Sequence, residues 1–260
     1  MRRGVAFVAL ATVLLSACRV DVDVELSVDD DGSGRVTVEV VLDDEAAARV
    51  PDLADQLAVD DLVALGWEVT GPDPTPEGGV FIRAGKDFFA PDQAGSVLSE
   101  VVAADAGLVG FTLTRQRPFA KTTYELAGQV DLSGGVEIFG DDELADLLGG
   151  LPVGRDTEAL EAELGAPLSE LTGFSFTVRL PGEEATANGA EVTADGNRQM
   201  ARWTTELGGE PTAIEMTTES TDGAPLIFRG VALAALAAFG LLLVWRAGRG
   251  LVRRWRRRGD

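Results

Sequence analysis

Alternation of apolar and polar positions dominates the chain after residue 18. Val20 to Val28 places Val20, Val22, Val24, Leu26 and Val28 on one parity and Asp21, Asp23, Glu25 and Ser27 on the other, the pattern of a half-buried strand with an acidic outer face. Asp29 to Gly34 is a turn rich in Asp and Gly, and Arg35 to Leu42 resumes the alternation through Val36, Val38, Val40 and Leu42, so a β-hairpin is expected. Asp43 and Asp44 are capping residues for a following helix. Asp52 to Leu65 has helical spacing, with Gly66 as its stop. Trp67 begins a strand, Gly71 to Gly79 reads as a Pro/Gly loop, and Val80–Ile82 and Lys86–Phe89 read as short strands. Pro91 at a first helical position predicts a helix to about Ala104.

Gly107 to Arg117 and Phe119 to Leu132 alternate again, forming a second hairpin around Pro118. From Gly140 to Gly165 the leucines move to helical spacing. Strands then return at Phe174–Leu180, Glu191–Val192, Gln199–Leu207 and Thr212–Thr218. The fold class expected is α+β: a largely antiparallel, curved sheet with inserted helices, plus one C-terminal transmembrane helix.

The two ends carry a different pattern. Arg2 and Arg3 precede a short apolar run and the residues Leu15-Ser16-Ala17-Cys18. That run is too brief to span a bilayer and has the form of a secretory signal. Its last four residues match a bacterial lipobox, so Cys18 is the expected lipidation site and the first residue of the mature chain. Leu226 to Trp245 is a 20-residue apolar run interrupted only by Arg229. Behind it stand Arg246, Arg249, Arg253, Arg254, Arg256, Arg257 and Arg258. Arginines crowded behind a span orient it with the tail in the cytoplasm, and they suit anionic phospholipid headgroups better than nucleic acid. The expected organisation is a signal peptide at 1–17, an extracytoplasmic domain at 18–217, a linker at 218–225, a transmembrane helix at 226–245 and a basic tail at 246–260. The protein is then a cell-membrane protein anchored at both ends.

Charge sharpens this picture. The chain carries 22 Lys+Arg against 43 Asp+Glu, a formal net charge of −21. Setting aside Arg2, Arg3, Arg229, the seven tail arginines and Asp260 leaves 12 basic and 42 acidic residues between the anchors, about −30. Such a surface repels anionic membrane and nucleic acid rather than binding them. The absence of histidine and the single cysteine exclude a Ser-His-Asp triad, a His-ligated zinc site, a disulfide within the chain and a CxxC redox pair.

Candidate chemistry is correspondingly thin. Asp29-Asp30-Asp31-Gly32-Ser33-Gly34 resembles the start of a calcium loop, but the ligand spacing is incomplete and no Glu stands at the twelfth position. It reads as a hairpin turn, and no metal or other cofactor is expected. The acids Asp141, Asp142, Glu143, Glu158, Glu161 and Glu163 fall at helix starts or on a helix face, where they cap and solvate. No catalytic residue is expected. Aromatics such as Phe88, Phe111, Phe174, Phe176 and Trp203 belong to the core, unless the sheet curls round a cavity that some of them line. Lys86, Arg115, Arg117 and Lys121 are among the few cations of the domain. They are candidates for contacting a phosphate headgroup, with ion pairing to neighbouring acids as the alternative.

Cys18, the alternating strand, Asp31-Gly32-Ser33-Gly34, Pro181-Gly182, Asn188-Gly189, Gly196-Asn197, Trp203 and Ile214-Glu215-Met216 occur in an order that resembles the LppM-type domain, an actinobacterial envelope family. The resemblance covers nearly the whole mature chain. It implies a lipid-binding fold with a curved sheet and a cavity, and an envelope glycolipid such as a phosphatidylinositol mannoside as ligand. It brings no catalytic motif. The expected function is non-catalytic binding of an envelope lipid or glycolipid. The alternative is a module that binds another envelope protein.

Overall fold

The computed structural model describes residues 18–50, 53, 59–101, 107–135, 161 and 166–221. It is mostly β-sheet with few helices. Two sheets, one of seven strands and one of four, face each other across a single hydrophobic core.

The expected first hairpin is present. Strand β1 (Val20–Val28) pairs antiparallel with β2 (Gly34–Leu42), from Val20 opposite Leu42 to Val28 opposite Gly34. The register puts Val24, Leu26, Val28 and Val36 in the core and turns Asp21, Asp23, Glu25, Arg35 and Glu39 to the outer face. The turn closes on itself. Asp31 accepts hydrogen bonds from the Ser33 hydroxyl (2.6 Å) and backbone N–H (3.0 Å), which hold its carboxyl below the usual range. Gly32 sits at φ +92°, where an L side chain is strained. Asp43 caps α1 (Asp44–Arg49) by accepting from the Ala46 N–H at 2.7 Å.

Beyond the hairpin the chain departs from expectation in informative ways. Residues Glu68–Pro74 form one strand, β3, where a loop from Gly71 was expected. It pairs with the following strand, Val80–Phe88, across a register shift between Thr70 and Asp73. Proline is tolerated there because β3 is an edge strand, whose outer N–H groups need no partner. The two short strands expected after it are one, β4 (Val80–Phe88), which pairs with β2 along its whole length. Helix α2 (Val59–Ala64) is the described part of the helix expected at Asp52–Leu65. The helix predicted from Pro91 begins as a 3₁₀ turn (Pro91–Gln93) and continues as α3 (Ala94–Ser99), which buries Ala94, Val97 and Leu98.

The second hairpin, β5 (Gly107–Gln116) with β6 (Lys121–Asp131), also forms as expected. It starts the four-stranded sheet β5-β6-β11-β8, completed by β8 (Glu184–Ala187) and β11 (Thr212–Thr221). After a short helix α4 (Leu168–Leu171), strand β7 (Thr172–Pro181) inserts beside β1, parallel to it, with Val24 opposite Phe176. Strands β9 (Val192–Asp195) and β10 (Arg198–Glu206) extend that side, giving the order β3-β4-β2-β1-β7-β10-β9. Every other pairing among the described residues is antiparallel.

The core is built where the sheets meet. Phe111 of β5 packs on Phe176 of β7 with ring centroids 5.0 Å apart, and Phe176 lies 6.4 Å from Trp203 of β10. Tilted aromatic contacts at such spacings add to the burial itself. Tyr124 ties the layers at one end: its hydroxyl donates to the Asp30 carbonyl at 2.7 Å and accepts from Arg115 Nε at 3.1 Å. Burial pushes the Tyr124 phenol up. No helix among the described residues is long and apolar enough to cross a membrane. The expected signal peptide, the helical region 140–165 apart from residue 161, the apolar run 226–245 and the basic tail lie outside the described residues.

Candidate functional site

The outer face of the seven-stranded sheet gathers what the sequence leaves scattered. Pairing registers place Arg83 of β4 opposite Glu39 of β2, and Asp23 of β1 between Glu39 and Ser175 of β7. On β10, Arg202 stands opposite Thr177 and Arg198 opposite Pro181. Because successive side chains alternate between faces, each of these polar residues looks away from the core. Arg19, Arg35, Arg83, Arg179, Arg198 and Arg202 thus share a face with at least as many carboxylates.

Ion pairs link the strands across this face. Arg35 bridges Glu68 at 2.5 Å and Asp87 at 2.7 Å, so one guanidinium ties β2 to β3 and β4. Those partners, Glu68 first, strengthen the hold of Arg35 on its proton. Arg83 pairs with Glu39, Arg202 with Asp23, and Arg198 with Asp29. Arg179 donates to Glu25 at 2.7 Å, while its Nε lies 3.6 Å from Asp195 and is buried without a hydrogen-bond partner. Burial raises the Glu25 carboxyl above the usual carboxylate range, with Arg179 opposing the shift.

Two open troughs lie in this face. One, of about 480 Å³, is lined by Asp23, Glu25, Arg35, Thr37, Glu39 and Arg83. The other, of about 380 Å³, shares Asp23 and Glu39 and adds Arg19, Asp21, Val41, Ser175, Arg202 and Thr204. Their walls offer guanidinium donors and carboxylate acceptors side by side. Hydroxyls can donate to such carboxylates and phosphate oxygens can fit a planar guanidinium fork, while Arg35, Arg83 and Arg202 are each already ion-paired with a neighbouring acid. Among the described residues, no group of three His, Cys, Asp or Glu side chains is arranged to hold a metal ion.

The four cations singled out from the sequence are not gathered on this face. Lys86 points to the other side of β4 and bonds Glu100 at 2.6 Å; the same carboxylate oxygen accepts from Trp67 Nε1 at 3.0 Å. Arg115 donates to the Asp30 carbonyl at 2.9 Å and to Tyr124, whose ring it overlies at 5.9 Å. Lys121 pairs with Glu219 at 2.7 Å. Arg117 follows the end of β5 near the β5–β6 turn. Arg35, Arg83, Arg179, Arg198 and Arg202 were not singled out, and the one signal available was that each sits on the polar parity of its strand.

Cys18 lies two positions before β1, with Arg19 between. The Arg19 N–H donates to Asp43 at 2.8 Å and the Arg19 carbonyl accepts from Asp43 N–H, fixing the start of the strand beside α1. Partial burial raises the Cys18 thiol above its ordinary value. The basic cluster Arg246 to Arg258 lies outside the described residues. No protein-family model matches the chain, and no curated protein matches it. Among solved structures the chain is similar to the NMR structure of the Mycobacterium tuberculosis LppM folded domain, with 13% identity and a TM-score of 0.39 over 86% of this chain and 99% of that one.

Proposed function

We propose that the chain is a membrane-tethered lipoprotein whose extracytoplasmic domain binds the polar head of an envelope lipid or glycolipid, of the phosphatidylinositol mannoside kind, without catalysis. The observation that carries this reading is the pair of troughs on the seven-stranded sheet, where Arg35 and Arg83 stand among Asp23, Glu25 and Glu39. In a domain of about −30, the arginines of this face reduce the repulsion of an anionic head. The lipobox cysteine, the apolar run 226–245 and the arginines behind it support attachment to the cell membrane, and the lack of histidine supports binding over catalysis. A second reading has its own observation: Leu62, Val63 and Leu65 expose apolar side chains at and just after α2, as a contact surface for an envelope protein would.

Native mass spectrometry of the full-length protein, gently extracted from its host membrane, tests the first reading. Co-purified lipid is expected, with loss of binding on combined Arg35→Ala and Arg83→Ala substitution. Apo protein alone, with no uptake of added phosphatidylinositol lipids, would sink it.

A further inference from the structure

All but two of the described aromatic side chains are buried or half-buried. The exceptions, Phe89 at 83% exposure and Phe119 at 61%, stand at the same end of the two-sheet domain. Phe89 follows β4, whose last residue, Phe88, is opposite Gly34 at the close of the first turn. Phe119 lies in the β5–β6 turn. Pro91, two residues after Phe89, and Arg115, four before Phe119, crowd the same spot on Gly32 of the first turn, at 2.8 and 3.0 Å from where a Cβ would stand. Tyr124 reaches Asp30 of that turn, and from Tyr124 the strand runs back to Lys121, about 10 Å towards the hairpin tip at ~3.3 Å per residue. Phe119 therefore leads this end, and Phe89 sits nearer the level of the first turn.

The chain leaves the described domain at this tip. Strand β11 ends at Thr221, opposite Lys121. From there to Leu226, where the apolar run begins, fully extended chain spans at most about 17 Å. A tether that short keeps Phe119 beside whatever surface the run enters. The backbone gives no reason for a phenylalanine at the tip. Phe119 has φ +25° and Ala120 φ +29°, in the left-handed region that favours glycine. The Lys121 N–H closes the turn by donating to the Pro118 carbonyl at 3.1 Å and the Phe119 carbonyl at 2.7 Å, bonds open to any residue at 119. What phenylalanine adds there is an exposed ring. Charge does not draw this end to lipid. Asp29, Asp30, Asp31 and Asp92 stand against Arg115, Arg117 and Lys121, Lys121 is paired with Glu219 and Asp29 with Arg198, and no excess of positive charge remains. The attraction available is apolar, of the kind that seats Phe and Leu side chains at the boundary between headgroups and acyl chains.

We propose that Phe119, with Phe89 behind it, inserts into the interfacial layer of the bilayer that residues 226–245 enter, as an apolar foot beside the span. It rests on the reading of that run as membrane-spanning. Cys18 lies at the other end of β1, about 30 Å away at ~3.3 Å per residue. An acyl chain there holds the opposite end of the domain and does not substitute for these two rings.

The test uses full-length protein in vesicles of phosphatidylcholine, a net-neutral lipid. Nitroxide labels attach at single added cysteines: Arg117→Cys beside Phe119, Asp92→Cys beside Phe89, Glu210→Cys at the Cys18 end and Ala235→Cys within the apolar run. Parent protein carried through the same labelling corrects for any free Cys18 thiol. Positions 117, 92 and 210 are exposed. Collisions of each label with a water-soluble nickel chelate, set against collisions with oxygen, read its depth. Labels at 117 and 92 should be shielded from the chelate relative to 210, and 117 the more strongly. Combined Phe119→Gly and Phe89→Ser substitution should abolish that shielding. Glycine suits the backbone at 119, so the urea midpoint of this variant should stay near the parent's. Chelate access at 117 and 92 equal to that at 210, or shielding that survives the double substitution, overturns the proposal. Shielding that appears only on adding phosphatidylglycerol overturns it too, because the contact is then electrostatic. Position 235 reads the span separately. A label there open to the chelate refutes the span and the insertion with it, whereas a shielded 235 with 117 and 92 open refutes the insertion alone.

Discussion

Removing one oxygen atom tests the joint between the sheets. Tyr124→Phe keeps the ring, which is 1% exposed, and keeps Arg115 over its face. It deletes the hydroxyl that donates to Asp30 O at 2.7 Å and accepts from Arg115 Nε at 3.1 Å. A neutral hydrogen bond is worth about 1 kcal/mol net and one to a charged donor about 1.5–3 kcal/mol. Asp30 O keeps its bond from Arg115 Nη2, and the half-exposed guanidinium recovers water, so both figures fall towards their lower ends. The expected loss is about 2 kcal/mol. At a urea slope of about 2 kcal/mol per M, the midpoint should drop by about 1 M with the slope unchanged. The buried Trp67 and Trp203 provide the fluorescence readout. A double-mutant cycle with Arg115→Met should show coupling of about 1 kcal/mol. A midpoint within 0.1 M of the parent (about 0.2 kcal/mol), or additive single effects, would refute the claim that this hydroxyl pins the first turn to the four-stranded sheet.

Phe176→Ala empties the contact between Phe111 and Trp203 and should cost about 3–5 kcal/mol in the same denaturation assay. Gly34→Ala would put a methyl 2.2 Å from the Ser27 carbonyl oxygen and 2.5 Å from Phe88, so poor yield of folded protein is expected by near-ultraviolet circular dichroism. Burial raises Glu25 above the usual carboxylate range, so the folded state binds its proton more tightly than the unfolded state. This group therefore opposes folding above its folded value, and the penalty fades as pH falls through that value towards the unfolded one. Stability curves of Glu25→Gln and the parent should converge on acidification through this window, and curves that stay parallel would contradict it.

The parts of the fold that were legible in the sequence are those with local causes. The β1–β2 hairpin follows from unbroken alternation round an Asp/Gly turn, and the Asp43 cap from its side chain reaching Ala46 three residues on. Strand β3 was hidden because Gly71, Pro72 and Pro74 are read as loop residues, and only its place at the sheet edge makes them tolerable. The sequence likewise read β4 as two short strands with a gap at Arg83 to Gly85, although that strand runs unbroken against β2. The arginine face was illegible for a different reason. Arg35, Arg83, Arg179 and Arg202 come from four strands, and their meeting depends on strand order, which alternation does not encode. Lys86, Arg115, Arg117 and Lys121 stood out instead as some of the few cations of an acidic domain, while the sheets send Lys86 to Glu100, Arg115 to Asp30 and Lys121 to Glu219.

The parallel pairing of β1 with β7 fixes an order of events. Val20 is opposite Thr172, so the first strand made must wait for some 150 further residues before its second edge is covered. Contacts this remote in sequence form slowly, and synthesis runs from the N-terminus. During that interval the β1–β2 hairpin exists with a bare edge of unpaired backbone, a template on which another chain could polymerise. Asp21, Asp23 and Glu25 flank that edge on one face; Arg19 pairs with Asp21 from the start, whereas Arg202 and Arg179, the partners of Asp23 and Glu25, are made only later. Asp23 and Glu25 thus serve two successive roles: early on they repel other copies of the same hairpin, and later they receive the arginines that arrive with β10 and β7.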